Sequence, residues 1–323
     1  MVQFQPMNSR FNILALSGGG FRGLFTASVL SCLENRTEKP IAQCFDLICG
    51  TSMGGILAMA LALEKPAQRL MSLIEQYGPK IFPRRKGLLS CLFKSKYSNE
   101  QLERLVVDEL FGQSTLADSF HRLLIPTINY STGKPQFFKT PHHETLQTDH
   151  KRKMSDVAMA TSAAPVFFPI YQPADPSSCY VDGGLVGNAP GLFGVHEAQY
   201  FCGQALENIH LLSIGTMGGE FRLDTRKTLN RGIIGWGEKL FSLTVSAQEK
   251  TTDFMLRHQL GERYHLIDEL PTSEQEKNIG LDIANKASIQ TLKSMGEESA
   301  KHFIAKQEAA DFFSHSATLL TNK

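Results

Sequence analysis

A serine lies in a sequence context that is typical of catalytic nucleophiles. The segment GTSMG, Gly50–Gly54, matches the pattern G-x-S-x-G and lies between the apolar segment CFDLICG, a predicted strand, and the apolar segment MGGILAMALALE, a predicted helix. Gly50 and Gly54 have no Cβ atoms, which would clash in so tight a strand–turn–helix. The N-terminus of the helix that follows favours an oxyanion. Ser52 is therefore the candidate nucleophile, and a merely structural turn is the alternative.

The base that such a serine requires has one strong candidate, because a hydroxyl attacks a carbonyl only when its proton is removed. Asp182, in YVDGGLVGNAP, ends an apolar segment and precedes Gly183 and Gly184, which predicts a carboxylate at a strand end facing a cleft. An Asx turn or a helix cap is the alternative interpretation. His258 and His265 are late enough for the triad order Ser, acid, His, but neither lies in a glycine-rich turn at a strand end.

A second glycine-rich segment, LSGGGFRGLF, follows the first predicted strand. Gly18, Gly20 and Gly23 match the G-x-G-x-x-G pattern of dinucleotide-binding folds. That function needs an acidic residue at the end of the second strand to hold a ribose. Here Asp46 lies near the start of that strand, and the turn of Ser52 occupies its end. A phosphate-binding P-loop also fails, because no Gly-Lys-Ser/Thr follows.

The same segment fits an oxyanion hole. Acyl transfer creates a tetrahedral oxyanion, which backbone N–H groups can stabilise when they are fixed near the nucleophile. Loops after adjacent parallel strands meet at one edge of the sheet, so this segment and the serine turn are expected to lie together. Arg22 is a candidate to stabilise either the loop or the negative charge of the oxyanion. A solvated surface arginine is the alternative. The candidate oxyanion-hole residues are Gly18, Gly19, Gly20, Phe21, Arg22 and Gly23.

The bulk composition disfavours several classes of function. The chain has 323 residues, 42% of them hydrophobic, and a formal net charge of +1, so it can bury a sizeable core and has no overall field for a nucleic acid polymer. Its longest apolar run, 56–63, is far shorter than the roughly 20 residues that span a bilayer. Scattered cysteines and the lack of a secretory signal predict a cytoplasmic protein with reduced thiols. The histidines lack metal-ligand spacing, so no metal site is predicted.

Two strand–glycine–helix units within the first 65 residues predict an α/β fold with a mostly parallel sheet covered by helices. Further strands, a hairpin and a long helix follow. No later segment resembles a linker, so one elaborated domain is expected. We predict an N-terminal segment at 1–11, a catalytic core at 12–216 and a mostly helical C-terminal part of the same domain at 217–323.

A basic segment interrupts this regular pattern. Residues 77–98 carry six lysines and arginines and no acidic residue, and these alternate with leucines and phenylalanines. Such a composition suits a lid over the cleft or a contact with anionic lipid headgroups. A solvated surface loop is the alternative.

Taken together, the three glycine-rich blocks resemble those of the patatin-like phospholipases. GGGFRG, GTSMG and DGG occur in the family's order and at appropriate separations, and ATSAAPVFFP, NAP and LLSIGT also resemble family segments, over about 12–216. The resemblance implies a three-layer α/β/α fold that hydrolyses lipid acyl esters with a Ser–Asp dyad, without histidine, metal or cofactor. It implies Ser52 as nucleophile, Asp182 as base and first-loop amides as oxyanion hole. Ala189 departs from the family, which often has a second asparagine there.

Within that family, the opening LSGGG-x-RGLFT is most similar to compact bacterial members, the CapV-type effectors of anti-phage signalling systems (CBASS). This implies a cytoplasmic phospholipase that a cyclic dinucleotide such as cyclic GMP-AMP (cGAMP) activates and that degrades the host's phospholipid membrane from its inner face. The basic clusters 84–86 and 151–153 are candidate phosphate contacts, with solvated surface as the alternative. Alternative functions are a constitutive lysophospholipase or esterase and, more remotely, an inert nucleotide-binding module. The sequence predicts no oligomeric state.

Overall fold

The computed structural model describes residues 10–83, 94–174, 178–218 and 233–320, so most of the predicted N-terminal segment, 1–11, lies outside it. Within these ranges the strands are β1 Phe11–Leu16, β2 Leu47–Gly50, β3 Arg122–Asn129, β4 Lys134–Lys139, β5 Tyr180–Asp182, β6 Ile209–Ile214 and β7 Tyr264–Ile267. The α-helices are α1 Gly23–Thr37, α2 Met53–Ala62, α3 Ala67–Ile81, α4 Glu100–Arg104, α5 Met154–Thr161, α6 Gly184–Gly187, α7 Gly191–Tyr200, α8 Ile233–Leu260, α9 Lys286–Ile304 and α10 Gln307–Ser314.

The strands form one sheet in the order β4-β3-β2-β1-β6-β7, and β5 also pairs with β3. The neighbours β3, β2, β1, β6 and β7 run parallel, whereas β4 and β5 run antiparallel to β3. The prediction of a mostly parallel sheet is therefore confirmed. Because Leu16 of β1 lies opposite Gly50 of β2, the loops that follow these two strands leave the sheet side by side.

The short strand β5 fills a place that β2 leaves open in the sheet. β2 pairs with β3 as far as Cys49 opposite Leu124, whereas β5 pairs with a later part of β3, with Asp182 opposite Thr127. Because β4 covers the other edge of β3 along this stretch, β5 lies on the edge that faces β2. The end of β5 therefore meets the turn that follows β2.

Helices cover both faces of the sheet, because successive residues of a strand point to opposite sides. Leu14 and Leu16 of β1 pack into a large core with residues of α1, α2, α3, α5, α9 and α10. Ile13 and Ala15 pack into a smaller core with residues of α7 and α8. The sheet is thus buried on both faces, as parallel strands require, and the expected three-layer α/β/α fold is confirmed.

The C-terminal part of the chain shares this sheet and its large core. β7 extends the sheet beside β6, and α9 packs along α1. Phe312 of α10 is fully buried, with its ring centroid 5.9 Å from that of Phe45. We propose on these contacts that residues 217–323 fold as one domain with residues 12–216.

Truncating Phe312 tests this proposal. We expect Phe312→Ala to lower the free energy of unfolding of the whole chain by about 3–5 kcal/mol, because it opens a cavity in the shared core. Chemical denaturation followed by fluorescence and circular dichroism should show one transition. Phe254→Ala is the matched control, because Phe254 is 63% exposed. A separate C-terminal transition in the Phe312 variant, with the main transition unmoved, would contradict the single domain.

Candidate active site

The turn after β2 holds Ser52 in a strained conformation. Ser52 has φ 54° and ψ −125°, which non-glycine residues rarely adopt, and it directly precedes α2. A Cβ atom at Gly54 would lie 2.3 Å from the carbonyl oxygen of Leu16, so only glycine lets α2 pack this closely on β1. The Ser52 amide donates to Thr161 Oγ1 at 3.0 Å, which fixes the turn from the side of α5. The predicted role of the glycines in this turn thus has a direct steric basis.

Asp182, at the end of β5, lies against this serine. Ser52 Oγ donates a hydrogen bond of 2.8 Å to Asp182 Oδ2, and the Gly184 amide donates one of 2.6 Å to Asp182 Oδ1. Asp182 as a whole residue is 2% exposed. Burial raises the pKa of Asp182 to about 6, and the hydrogen bonds from Gly184 and Ser52 oppose this shift only in part. A carboxylate with a pKa this close to neutrality can accept a proton at physiological pH.

The first glycine loop lies beside the serine, and its amides have different partners. Gly18 N donates to Asn188 O at 3.0 Å, Phe21 N to Leu281 O at 2.8 Å and Arg22 N to Gly19 O at 3.0 Å. Gly23 N donates to the carbonyls of Gly20 and Phe21. Within the described residues, the amides of Gly19 and Gly20 have no acceptor.

This pattern corrects the predicted set of oxyanion donors. The amides of Gly18, Phe21, Arg22 and Gly23 are already used inside the protein and cannot point at a substrate. Gly19 and Gly20 remain as candidate donors. Gly20 has φ +53°, and a Cβ atom there would lie 2.3 Å from Leu281 O, so this position requires glycine.

Asn188 joins this loop to α8. Its Nδ2 donates to Gly18 O at 2.9 Å and to Glu249 Oε1 at 2.6 Å. Gln248 Nε2 donates to Leu185 O at 2.7 Å, so two successive residues of α8 hold the segment after Asp182. Ala189, where the family often has asparagine, does not disturb these bonds.

Arg22 lies beside two carboxylates, which answers the question that the sequence left open about it. Its guanidinium interacts with Glu249 and Asp268, and its Nε atom is buried with no hydrogen-bond partner among the described residues. Burial raises the pKa of Glu249 and raises that of Asp268 to about 7. Arg22 therefore balances charge behind the loop and is not a solvated surface residue.

An apolar cavity opens beside the serine. Ser52, Asp182 and Asn188 line its polar end, and the remainder is lined mainly by aromatic and aliphatic side chains, which include Met53, Ile56, Phe82, Phe167, Phe168 and Phe241. Its volume of about 50 Å³ has room for one or two water molecules. An acyl chain can enter only if these side chains move apart.

The other candidate residues lie elsewhere. His258 is exposed on α8, with Nδ1 2.8 Å from Phe254 O, and His265 packs against Phe303. Neither lines the cavity. Arg152, in the basic cluster 151–153, pairs with Asp149.

The basic segment 77–98 is described only in part, because residues 84–93, including the cluster 84–86, lie outside the described ranges. Its earlier residue Phe82 lines the cavity.

Three residues that contact the site were not found by sequence reasoning. Thr161 lies in ATSAAPVFFP and Asn188 lies in NAP. Both segments resemble family segments, so the resemblance could have indicated these two residues. Glu249 lies in the middle of a long helix with no local signal, and only the tertiary packing of α8 brings it to Asn188.

Neutralising the buried carboxylate should stabilise the fold. A pKa raised from 3.8 to about 6 corresponds to about 3 kcal/mol of destabilisation once Asp182 is ionised. The folded state holds this proton more tightly than the unfolded state, so the cost is absent below pH 4, grows as the pH rises through 6 and is constant above.

We therefore expect Asp182→Asn to melt at a higher temperature than the wild type at pH 8, and at nearly the same temperature at pH 4. Differential scanning calorimetry at both values measures this. A stability difference that does not change with pH would contradict the raised pKa.

Comparison with known proteins identifies the family of this chain. The family model described as patatin-like phospholipase matches residues 14–192. A "cGAMP-activated phospholipase" of Pseudomonas aeruginosa is 44% identical, covering 95% of this chain and 93% of that protein. Proteins with the same description from Vibrio cholerae and Escherichia coli are each 34% identical, covering 96% and 94% of this chain and 96% and 93% of their own lengths.

Among solved structures, VipD from Legionella pneumophila is similar at 13% identity and a TM-score of 0.39, over 90% of this chain and 67% of that one. The family match and the 44% identity establish the assignment independently of that likeness. The chain belongs to the patatin-like phospholipase family of lipid acyl hydrolases.

Proposed function

We propose that this protein is a phospholipase of the A type that uses Ser52 as nucleophile and Asp182 as general base, and that a cyclic dinucleotide such as cGAMP activates it. The observation that carries the catalytic part is the 2.8 Å hydrogen bond from Ser52 Oγ to a buried carboxylate. The activation is supported by the relatives described as cGAMP-activated phospholipases, which match this chain over nearly its whole length.

The proposed reaction has two steps. Asp182 Oδ2 takes the proton of Ser52 as Oγ attacks the ester carbonyl, and the amides of Gly19 and Gly20 stabilise the oxyanion. The tetrahedral intermediate collapses, the lysolipid alkoxide leaves with the proton from Asp182, and an acyl-enzyme remains. Asp182 then takes a proton from water, hydroxide adds to the acyl carbonyl, and Ser52 leaves with the proton as the fatty acid is released.

The buried position of Asp182 supports its use without a histidine. An exposed aspartate, with a pKa near 3.9, would be a weak base toward a serine hydroxyl. Desolvation raises the pKa of Asp182 to about 6, which increases its proton affinity while leaving most molecules ionised at pH 7. The same carboxyl group can then return the proton to the leaving alkoxide.

The narrow cavity supports regulation. At about 50 Å³ it does not have room for a lipid acyl chain, so hydrolysis of a long-chain phospholipid requires a change in the residues that line it. A constitutively open phospholipase would damage the cell that makes it, which makes a gate physically reasonable. We propose that cGAMP binding favours the open form.

We further propose that the protein acts from the cytoplasm on the inner face of the host membrane, as part of an anti-phage response. Among the described residues, no helix combines the length and apolar character needed to cross a bilayer. Lipid is then reached from the surface of the membrane.

One assay tests the catalytic and regulatory parts together. Fatty-acid release from phosphatidylglycerol and phosphatidylethanolamine vesicles is measured with and without cGAMP, for the wild type and Ser52→Ala. We expect cGAMP to stimulate the wild type, and loss of the nucleophile to lower the stimulated rate by at least about a thousandfold. Ser72→Ala, at an exposed position on α3, is the control.

Each outcome of this assay has a separate meaning. Wild-type turnover by the Ser52 variant would contradict the dyad. Equal rates with and without cGAMP would favour a constitutive acyl hydrolase. No release under any condition would favour an inert nucleotide-binding module.

A further inference from the structure

Two segments next to the cavity expose large apolar side chains. Val166 and Ile170 follow α5 and are 44% and 50% exposed. Trp236 and Leu240 lie one helical turn apart on α8 and are 38% and 54% exposed. Single exposed apolar residues are normal on a protein surface, but apolar residues grouped around a cleft mark a binding surface.

Two of these exposed residues are sequence neighbours of side chains that line the cavity. Phe167 and Phe241 both line the cavity, and their ring centroids are 6.5 Å apart. Each of them is the immediate neighbour of an exposed residue, Val166 in one segment and Leu240 in the other. The two exposed segments therefore meet the cavity at this pair of rings.

The backbone at Val166 is strained in a way that produces this arrangement. Val166 has φ +74°, which is very unfavourable for a β-branched residue. The amides of Lys96 and Tyr97 donate to the carbonyls of Val166 and Phe167, each at 2.8 Å, and hold the loop in place. In this conformation Phe167 is 5% exposed and lines the cavity, while the side chain before it points to solvent. Strain that persists in a folded protein is often found at functional sites.

Two exposed lysines lie near these apolar residues in the sequence. Lys239 is exposed beside Leu240, and Lys94 is exposed near the segment that holds the Val166 loop. Asp282 pairs with Lys96 at 2.6 Å, and Glu238 directly precedes Lys239 in the sequence. Exposed lysines around apolar side chains are the combination that binds anionic bilayers, because the apolar groups enter the interface while the charges meet headgroups.

We propose that Val166, Ile170, Trp236 and Leu240 form the surface that enters the interface of an anionic lipid bilayer, and that it delivers an acyl ester through the Phe167–Phe241 pair to Ser52. This inference rests on the proposed phospholipase function, and it assigns the membrane contact to described residues outside 84–93. It predicts that hydrolysis of bilayer lipid depends on this surface, whereas hydrolysis of a small soluble ester does not.

The test compares two residues of one helix. Leu240→Asp places a charge in the proposed surface, and Phe254→Asp places the same charge about 21 Å along α8, at a residue that is even more exposed. Both full-length variants are assayed with cGAMP present, for flotation with vesicles of phosphatidylethanolamine and phosphatidylglycerol at 3:1, for fatty-acid release from them and for hydrolysis of nitrophenyl butyrate.

We expect Leu240→Asp to reduce vesicle binding and fatty-acid release by about tenfold or more, with nitrophenyl ester hydrolysis within twofold of the wild type. Phe254→Asp should change none of the three. Equal losses in both variants, or a matching loss on the soluble ester, would overturn the proposal. A wild type that hydrolyses neither substrate would instead contradict the proposed function.

Val166→Asn provides a second variant in case Leu240→Asp does not fold. Asparagine tolerates positive φ better than valine, so this variant should keep or raise the melting temperature while lowering vesicle binding. Unchanged vesicle binding in a folded Val166→Asn protein would also overturn the proposal.

Discussion

Removing the Asp182 carboxyl group from water is the constraint on which the rest of this structure depends. At 2% exposure, the carboxylate loses most of its hydration and regains only hydrogen bonds from Ser52 and Gly184. This loss of hydration destabilises the ionised form of Asp182 in the folded protein. It thereby raises the pKa of this carboxyl group, next to the Ser52 hydroxyl, to about 6. The same environment that makes the ionised state unfavourable makes the group a better base. The burial of Asp182 therefore lowers the stability of the folded protein while it favours the proposed chemistry.

The mixed sheet creates this environment. If β2 and β3 stayed paired along their full lengths, nothing could approach Ser52 from the side of β3. The pairing of β2 with β3 instead ends at Cys49 opposite Leu124, and the antiparallel β5 pairs with the rest of β3 and ends at Asp182. α5 and α8 complete the support, through Thr161 beneath the serine and Glu249 behind the glycine loop. The site is thus assembled from all three layers, with Arg22 balancing the acidic groups behind the loop.

Much of this could be predicted from local sequence. The turn around Ser52 has a steric requirement that Gly50 and Gly54 satisfy, and the apolar strands before both glycine motifs indicate a parallel sheet. The choice of Asp182 over a histidine followed from its place at a strand end, although its catalytic role stays a proposal.

What could not be predicted depends on tertiary contacts. The pairing of β5 with the far part of β3 involves residues more than 50 positions apart, and no periodicity encodes it. The same is true of the loop amides, because only the position of Leu281 and Asn188 shows which N–H groups are already used. In the sequence, nothing distinguishes Glu249 from the other charged residues of α8. Only the packing of this helix brings it to Asn188.

The central claim is that Ser52 is activated by a buried carboxylate and no histidine takes part. The rate at which a fluorophosphonate probe labels the protein, measured from pH 4.5 to 8 with the modified peptide identified by mass spectrometry, tests it most directly. We predict labelling at Ser52, with a rate that rises with pH around a midpoint near 6 and is unchanged in the double variant His258→Ala/His265→Ala. Labelling of another residue, a rate that does not depend on pH, or loss of labelling in the histidine variant would contradict the account.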